Sequence, residues 1–232
     1  MSDRSNVVLI TGASSGIGAA LARAFVADGN RVVLVARSAE RLAALADELG
    51  IEHALAVEGD VTEFDDQQRA VDTAVDRFGR LDVAVANAGG GTSGGFLEPT
   101  ADPEQWRQIV LTNVYGVALT ARATLAQLVD TAGHLVLMGS VAGRVTIDGS
   151  LYSATKWAVT GMAQAIRAEL HSTGVRVTVI QPGKVVTPFF DGNPPPDCLE
   201  TDDVVAAVRY AVSQPPSVDV NEIVLRPIDQ HR

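Results

Sequence analysis

Cysteine, basic residues and long apolar runs are scarce in this sequence. Its single cysteine, Cys198, excludes a disulfide within the chain, and such usage is typical of the cytoplasm, where we predict the protein to act. Lys and Arg number 18 against 28 Asp and Glu, which gives a formal net charge of −10. That charge argues against non-specific binding to nucleic acid or to an anionic membrane, although backbone N–H groups can still bind a phosphorylated ligand locally.

Two further absences concern membranes and metals. No stretch approaches the roughly 18 consecutive apolar residues of a membrane helix. The start, MSDRSNVVLITG, lacks the basic and apolar regions of a signal peptide, so we expect no membrane association. The histidines, His53, His134, His171 and His231, are scattered and form no H-E-x-x-H motif or Cys/His cluster, so we predict no catalytic metal.

Short apolar runs alternate along the chain with longer amphipathic ones. The apolar runs predict strands at 7–11, 31–36, 53–61, 81–89, 133–140, 175–183 and 221–227. The expected helix N-caps include Ser38 and Thr62, and the expected helix ends include Gly50 and Gly79. Strands rich in Val, Leu, Ile and Ala are typical of parallel sheets covered on both faces. Strict alternation then predicts a doubly wound α/β fold, and we interpret residues 1–232 as one domain.

One long stretch lacks any periodic pattern. It reads TPFFDGNPPPDCLE, at 187–200, and contains Phe189, Phe190 and three prolines at 194–196. A loop of this length in a compact domain is often a lid or a specificity element, so we interpret 187–200 as a substrate loop with an apolar wall. The alternative is a solvated connection.

A glycine-rich turn follows the first predicted strand. It reads TGASSGIG, at 11–18, with the spacing Gly-x-x-x-Gly-x-Gly. Glycines in such a turn let the chain reverse tightly and let backbone N–H groups approach a pyrophosphate at the helix N-terminus. Because an apolar strand precedes this turn and a helical pattern follows it, the turn predicts a dinucleotide site.

Five motifs in one order carry a resemblance to a known family. TGASSGIG is followed by ANAG at 86–89, by Ser140, by YSATK at 152–156 and by PGKVVT at 182–187. Together they resemble the short-chain dehydrogenase/reductase family, in its compact single-domain branch, over nearly the whole chain. The family often has Asn where Ala86 stands, but its functional Asn matches Asn87. The resemblance implies a Rossmann-like fold with a seven-stranded parallel sheet in the order 3-2-1-4-5-6-7.

The resemblance also implies which residues form the site. The expected catalytic residues are Asn113, Ser140, Tyr152 and Lys156. The expected cofactor-binding residues are Gly12, Ser14, Ser15, Gly16, Ile17, Gly18, Arg37, Asp60, Val61, Asn87, Ala88, Gly89, Tyr152, Lys156, Pro182, Gly183, Val185 and Thr187. By this resemblance Asp60 bonds the adenine amine beside Val61, while the Val185 backbone and the Thr187 hydroxyl hold the nicotinamide end.

The end of the second predicted strand bears on the choice of cofactor. Enzymes that prefer NAD usually carry an acidic residue about 20 positions after the glycine-rich turn, where it bonds the ribose 2′-hydroxyl. This chain has Ala36 there, followed by Arg37. A guanidinium can bind a 2′-phosphate through paired hydrogen bonds, so we predict NADP(H) as the cofactor. The alternative is that Arg37 is a solvated surface residue.

Tyr152 and Lys156 lie four residues apart, which places them on one face of a helix. The spacing is common by chance, and the resemblance is what makes Tyr152 the expected general acid/base. Lowering a phenol pKa from about 10 to about 7 takes about 4 kcal/mol. One positive charge about 4 Å away, at an effective dielectric of about 20, supplies about that much. We therefore predict that Lys156 lowers the pKa of Tyr152, that Ser140 donates to the substrate oxygen, and that Asn113 supports a proton relay through water.

The predicted function is an NADP(H)-dependent oxidoreductase that acts on a small alcohol or carbonyl compound. The ending VDVNEIVLRP and the short 187–200 loop look similar to the branch with serine and allo-threonine dehydrogenases and some carbonyl reductases. The loop shows no evident pair of charges for an amino acid, so a hydroxy-amino-acid dehydrogenase is the alternative. A non-catalytic dinucleotide sensor is less favoured, because such proteins usually lack the Tyr/Lys pair. Related enzymes pair two long helices between subunits, so we expect a homodimer or homotetramer.

Overall fold

The computed structural model describes residues 5–91, 94–190 and 193–230. The strands are β1 Val7–Thr11, β2 Arg31–Ala36, β3 Ala54–Glu58, β4 Val83–Ala86, β5 His134–Met138, β6 Arg176–Pro182 and β7 Glu222–Leu225. The helices are α1 Gly16–Ala27, α2 Ala39–Leu49, α3 Phe64–Phe78, α4 Pro103–Val110, α5 Gly116–Thr131, α6 Leu151–Glu169 and α7 Thr201–Ser213. The strands form one sheet in the order β3-β2-β1-β4-β5-β6-β7, and every pairing is parallel, which confirms the predicted fold class.

The sheet is buried on both faces because its strands are apolar at consecutive positions. In β1, Val7 and Leu9 belong to one buried cluster, while Val8 and Ile10 belong to a second cluster on the opposite face. Alternate side chains of a strand point to opposite faces, so each face receives its own layer of helices. This arrangement brings the carboxyl ends of β1, β4, β5 and β6 to one edge of the molecule.

The helix boundaries confirm most of the predicted signals. Gly50 and Gly79 end α2 and α3 with φ of +87° and +80°. Ser38 occupies the N-cap position of α2, although its side chain makes no capping hydrogen bond. The prediction for Thr62 is wrong, because α3 begins one residue later, after Glu63. The Thr62 hydroxyl instead donates to Asp60 Oδ1 at 2.8 Å, which stabilises the turn after β3.

One long apolar helical stretch contains a change of helical type. A π-helical turn, Leu111–Tyr115, joins α4 to α5 without a break. Among the described residues, Pro103–Thr131 is the one helix that is long and apolar enough to cross a membrane by length and composition, which is weak support for such a role. In the fold, α5 packs against α3, β4 and β5, as a core helix does.

His134 is a buried, neutral histidine at the beginning of β5. Its Nε2 lies 2.7 Å from Thr178 Oγ1, and the Thr178 hydroxyl donates its own hydrogen to the Val220 carbonyl at 2.6 Å. Nε2 must therefore carry the imidazole hydrogen, and Nδ1 has no hydrogen-bond partner among the described residues. Burial, together with the positive charge of Arg176, lowers the pKa of His134 to about 3.

This histidine predicts a loss of stability in acid. In the unfolded chain His134 takes up a proton near its ordinary pKa of about 6.5, whereas the folded protein resists protonation down to about 3. Stability is therefore lost as the pH falls below about 6.5, by about 1.4 kcal/mol per pH unit from this group. Urea unfolding of the protein and of His134→Gln, at about pH 6 and pH 4, measures this contribution. The variant keeps an N–H donor for Thr178, and equal pH slopes in both proteins would contradict the prediction.

Candidate active site

The glycine-rich loop after β1 packs directly against the loop after β4. A Cβ added to Gly12, whose φ is +66°, would lie 2.8 Å from Ala88 Cα, and one added to Gly18 would lie 2.3 Å from the Gly12 carbonyl oxygen. These distances leave no room for a side chain at either position. The two glycines are therefore required for the loop to reach its position, whether or not a ligand is bound.

Asn87 and Thr11 fasten these two loops together. The Asn87 side-chain amide donates to the Thr11 carbonyl at 2.9 Å. In return, Thr11 Oγ1 accepts from the backbone N–H groups of Asn87 at 3.0 Å and Ala88 at 3.1 Å. Sequence reasoning selected Asn87 and Ala88 but missed Thr11, although Thr11 is the first residue of the TGASSGIG motif.

The N-terminus of α1 is suited to an anionic group. Ser15 is its N-cap residue and makes no side-chain capping hydrogen bond, so its hydroxyl does not compete with a ligand for the first N–H groups. Ser14, Gly16 and Ile17 are half-buried around the same turn. Unpaired N–H groups at a helix N-terminus bind phosphate readily. The residues present therefore fit the pyrophosphate of a dinucleotide.

A second part of the site lies beyond β2 and β3. Arg37 follows the buried Ala36, is exposed, and lines an open cleft of about 680 Å³ with Asp60 and Arg69. None of the ion pairs formed by the described residues involves Arg37. Its guanidinium is therefore available to a ligand in this cleft.

Asp66 and Arg69 hold the turn that carries Asp60, and sequence reasoning missed both. The Asp66 carboxylate accepts from the Asp60 backbone N–H at 2.9 Å, a bond that lowers the pKa of Asp66. Arg69 donates to the Glu58 carbonyl at 2.8 Å and forms an ion pair with Asp66. These bonds fix the direction of the chain where the adenine is expected.

Val61 is positioned from the other side by a buried glutamine. Gln67 Nε2 donates to the Val61 carbonyl at 3.0 Å and to Thr120 Oγ1 at 2.9 Å. Thr120 belongs to α5, so Gln67 links Val61, which is expected to pack beside the adenine, to this core helix. No motif marks Gln67, because its role depends on the packing of α3 against α5.

The four predicted catalytic residues come together beside the glycine-rich loop. Tyr152 and Lys156 lie on α6, with the Lys156 Nζ 5.7 Å from the centroid of the Tyr152 ring. Ser140 follows β5 and is buried; its hydroxyl accepts from the Ala142 N–H at 3.1 Å and lies near enough to Tyr152 to act on the pKa of the phenol. Lys156 Nζ also donates to the Met138 carbonyl at 2.9 Å. The structure thus brings these residues together, and their catalytic roles stay a prediction.

The pKa shifts differ from the sequence-based expectation. Burial raises the pKa of Tyr152, and the hydrogen bond with Ser140 opposes this rise without reversing it. Burial also lowers the pKa of Lys156 to about 8. The expected lowering of the phenol pKa by Lys156 is therefore not a property of the protein without its dinucleotide. At neutral pH the phenol keeps its proton, which suits a group that donates a proton.

Asn113 lies in the π-helical turn and is held at both ends of its amide. Its Oδ1 accepts from the Gly90 N–H at 2.9 Å, and its Nδ2 donates to the Gly90 carbonyl at 3.0 Å and to Thr155 Oγ1 at 3.1 Å. Thr155 in turn donates to the Tyr152 carbonyl at 2.7 Å. Asn113 therefore connects the loop after β4 with the Tyr152 helix, and Thr155 is a link that sequence reasoning missed.

The segment after β6 closes over the glycine-rich loop. Pro182 ends β6, and the Gly183 N–H donates to the Leu225 carbonyl at 2.8 Å. Val185 is buried and forms an isolated parallel bridge with Leu199. Thr187 comes close to Gly16, where an added Cβ would lie 3.3 Å from Thr187 Cγ2.

Two of the earlier predictions fall partly outside the described residues. Positions 191–192 of the predicted substrate loop lie there, as does His231. Among the described residues, no group of three or more His, Cys, Asp or Glu side chains could hold a metal ion.

Gly89 lies close to the predicted catalytic residues, since a Cβ added there would lie 3.6 Å from Lys156 Nζ.

The fold and its glycine-rich turn define a class of protein, the Rossmann-type oxidoreductases that use a nicotinamide dinucleotide. The family model described as short chain dehydrogenase matches residues 6–195, and the chain belongs to this family. An uncharacterized oxidoreductase of Staphylococcus aureus (strain USA300) is 37% identical over 226 residues, covering 96% of this chain and 97% of that protein.

Two solved structures are similar over nearly the whole chain. An alcohol dehydrogenase from the archaeon Thermococcus sibiricus, complexed with 5-hydroxy-NADP, has a TM-score of 0.91 at 32% identity and covers 99% of both chains. The closed form of serine dehydrogenase complexed with NADP+ has a TM-score of 0.90 at 32% identity, covering 97% of this chain and 96% of that one.

Proposed function

We propose that this protein is an NADP(H)-dependent oxidoreductase that interconverts a small carbonyl compound and its alcohol. The observation that carries the proposal is the grouping of Tyr152, Lys156, Ser140 and Asn113 beside the glycine-rich loop. The proposal treats residues 1–232 as one dinucleotide-binding and catalytic domain, with 187–200 as the substrate loop.

In the proposed reaction, Tyr152 is the proton donor to the carbonyl oxygen in the direction of reduction. Burial raises the pKa of Tyr152, so the phenol is protonated at neutral pH and ready to act as an acid. We propose that the Ser140 hydroxyl, which lies near enough to the phenol to act on its pKa, binds the same substrate oxygen. The nicotinamide supplies the hydride to the carbonyl carbon when bound, and the proton from Tyr152 goes to the carbonyl oxygen, which becomes the hydroxyl of the alcohol.

Lys156 and Asn113 act around this proton donor. The Lys156 ammonium is buried against the Met138 carbonyl and stabilises negative charge that develops on the phenol oxygen. Asn113 positions Tyr152 through Thr155, whose hydroxyl bonds the Tyr152 carbonyl. The proton that Tyr152 gives up must be replaced from solvent, and we propose that Asn113 and Lys156 lie on that route.

The preference for NADP(H) over NAD(H) is proposed from the cleft beyond β2. Arg37 is exposed there and free of an ion pair with any described residue, while Ala36 offers no carboxylate to a ribose 2′-hydroxyl. A guanidinium in this position binds a 2′-phosphate better than a hydroxyl. The two solved neighbours described above carry NADP or its derivative.

Replacing Arg37 with aspartate is expected to reverse this preference. The carboxylate repels the 2′-phosphate and can accept a hydrogen bond from a ribose hydroxyl, so the Kd for NADPH rises by about 100-fold or more while that for NADH changes little or falls. Fluorescence titration with both cofactors measures the two constants. Arg31→Asp, at the exposed beginning of β2, is the matched charge control. An equal preference in the protein and in Arg37→Asp would contradict the proposal.

The substrate class is tested by turnover. NADPH oxidation is followed against a panel of aldehydes and ketones, and NADP+ reduction against alcohols and hydroxy acids, serine and allo-threonine included. We expect turnover of small carbonyl compounds. Turnover restricted to hydroxy-amino acids would favour the alternative function, for which the likeness to serine dehydrogenase is the supporting observation. Tight NADPH binding with no turnover of any compound would favour a dinucleotide sensor.

A homodimer or homotetramer remains part of the proposal. Val110, Tyr115 and Trp157 are large apolar side chains that stand exposed on α4, the π-helical turn and α6. Light scattering that returned a monomer at every concentration would contradict this part without affecting the proposed chemistry.

A further inference from the structure

Phe189 occupies the space next to the proposed proton donor. It lies in the short 3₁₀ turn Pro188–Phe190, and its ring centroid is 5.6 Å from that of Tyr152, with the two rings tilted by 56°. The Phe189 ring also makes an edge-to-face contact with Phe190, with 5.2 Å between the ring centroids. Phe189 is nevertheless 46% exposed, so part of its surface faces open space beside Tyr152.

The outer end of the Phe189 ring lies close to Gly91. A Cβ added to Gly91 would lie 2.6 Å from Phe189 Cζ and 2.9 Å from Cε2. Real side-chain atoms do not approach this closely, so any other residue at position 91 must displace the ring. The missing side chain of Gly91 therefore leaves room for the Phe189 ring, which lies between the loop after β4 and the Tyr152 helix. We call this contact the seat of Phe189.

The turn that carries Phe189 is fixed at its base. The Val186 N–H donates to the Leu199 carbonyl at 2.8 Å, and the Leu199 N–H donates to the Lys184 carbonyl at 2.8 Å. On the other side, Thr187 packs on Gly16 of the glycine-rich loop. The ring is thus held by contacts on both sides of the site, which a freely moving surface side chain would lack.

We propose that Phe189, seated on Gly91, is the residue that determines substrate size, and that it selects short aliphatic aldehydes and ketones. This inference rests on the proposed function, because it assumes that the substrate carbonyl binds at Tyr152. The ring removes the volume that a branched or aryl substituent needs, and it offers an apolar surface to a short alkyl group. An ammonium or carboxylate group gains no hydrogen bond from this surface, so the same ring disfavours an amino-acid substrate.

Replacing Phe189 with alanine is expected to widen the selection. Propanal and acetone serve as the small probes and acetophenone as the bulky one, with NADPH as reductant. The ratio of kcat/KM for acetophenone to that for propanal should rise at least about tenfold in Phe189→Ala, with an intermediate rise in Phe189→Leu. Because Phe189 is half exposed, thermal unfolding should show both variants folded. An unchanged ratio in the folded variants would overturn the inference.

Gly91→Ala tests whether the seat acts through the ring. The added methyl group displaces Phe189, so the variant should change the acetophenone-to-propanal ratio at least about threefold when Phe189 is present. In the Phe189→Ala background the methyl group meets empty space and should have no further effect. Gly90→Ala is the matched control for this coupling, because a Cβ there meets nothing within 4 Å, so any effect it has alone should be the same in both backgrounds. Additive effects of Gly91→Ala and Phe189→Ala would overturn the seating role.

The outcomes separate this inference from the proposed function. If the unaltered protein turned over no carbonyl compound, the proposed function would fail and the inference with it. If it turned over carbonyl compounds with a size ratio that Phe189→Ala left unchanged, the inference alone would fail. Titration with NADPH covers a third outcome: a Kd lowered about tenfold or more in Phe189→Ala, with no change in the ratio, would show that the ring obstructs the cofactor and would also overturn the inference.

Discussion

Tyr152→Phe is expected to lower kcat/KM for carbonyl reduction by about 10³-fold or more at about pH 7. The hydroxyl is the only group of the side chain that the variant loses, and it is the proposed proton donor to the substrate oxygen. The aromatic ring remains, so its packing against Phe189 and its position on α6 are preserved. The measurement is NADPH oxidation under saturating cofactor, together with the Kd for NADPH.

Two readouts make this prediction specific. Tyr210→Phe is the matched control, since Tyr210 is exposed on α7 and away from the site, and its kcat/KM should stay within about twofold of the original. The Kd for NADPH should change by less than about tenfold in Tyr152→Phe, because a phenol contributes at most one hydrogen bond to binding. Turnover that survived in Tyr152→Phe would remove the proposed proton donor and with it the proposed mechanism.

The fold followed from local patterns that the sequence displays directly. Seven apolar runs became the seven strands, because strands covered on both faces of a sheet consist mostly of apolar residues. The wrong prediction of a helix N-cap concerns Thr62. Its hydroxyl was expected to cap α3, but it donates a hydrogen bond to the Asp60 carboxylate instead. Such competition depends on side-chain geometry within a turn, which a residue pattern does not encode.

The candidate site was predictable where it rests on glycine and on motif spacing. Gly12 and Gly18 were identified by the turn, and the structure gives the reason in the 2.8 Å and 2.3 Å approaches that an added Cβ would make. Some supporting residues were missed. Gln67 and Thr155 act through partners far away in the sequence, Thr120 and Asn113, and Asp66 acts through a backbone N–H group. The π-helical turn at Asn113 has no sequence pattern of its own, and it sets the position from which the amide reaches both Gly90 and Thr155.

The largest disagreement concerns the electrostatics of the pair on α6. The sequence argument gave Lys156 the full effect of a charge at about 4 Å. In the structure its Nζ donates to the Met138 carbonyl, Lys156 is buried, and Tyr152 is half-buried. Burial penalises the phenolate and the ammonium alike, so the Tyr152 pKa rises while the Lys156 pKa falls to about 8. The phenol therefore keeps its proton at neutral pH, and of the two groups it is the lysine whose pKa, about 8, lies nearer to neutrality.

Lys156 should accordingly set the alkaline limit of carbonyl reduction. Its ammonium is present below a pKa of about 8 and is lost as the pH rises through that value, while Tyr152 keeps its proton over the same range. If the cation is required, kcat/KM at saturating NADPH should fall about tenfold per pH unit above about pH 8. Lys156→Arg, whose guanidinium stays charged, should move this fall to higher pH even if its activity is lower. A fall that appeared only near pH 10 in the unaltered protein would contradict the lowered pKa of Lys156.

Lys156→Met should separate the electrostatic role of this residue from its structural one. The variant removes the buried cation, so kcat/KM should fall by about 100-fold at about pH 7 and its dependence on pH near 8 should disappear. Stability should move the opposite way. The folded-state pKa of about 8 lies below the ordinary value of 10.5, so below about pH 8 burial of the cation costs about 3 kcal/mol. The lost hydrogen bond to Met138 returns about 1 kcal/mol of that, which leaves a net gain of about 2 kcal/mol. A higher Tm with lower turnover would identify Lys156 as a residue kept for chemistry at the expense of stability, whereas a lower Tm would mean that its bond to the Met138 carbonyl contributes more than its burial costs.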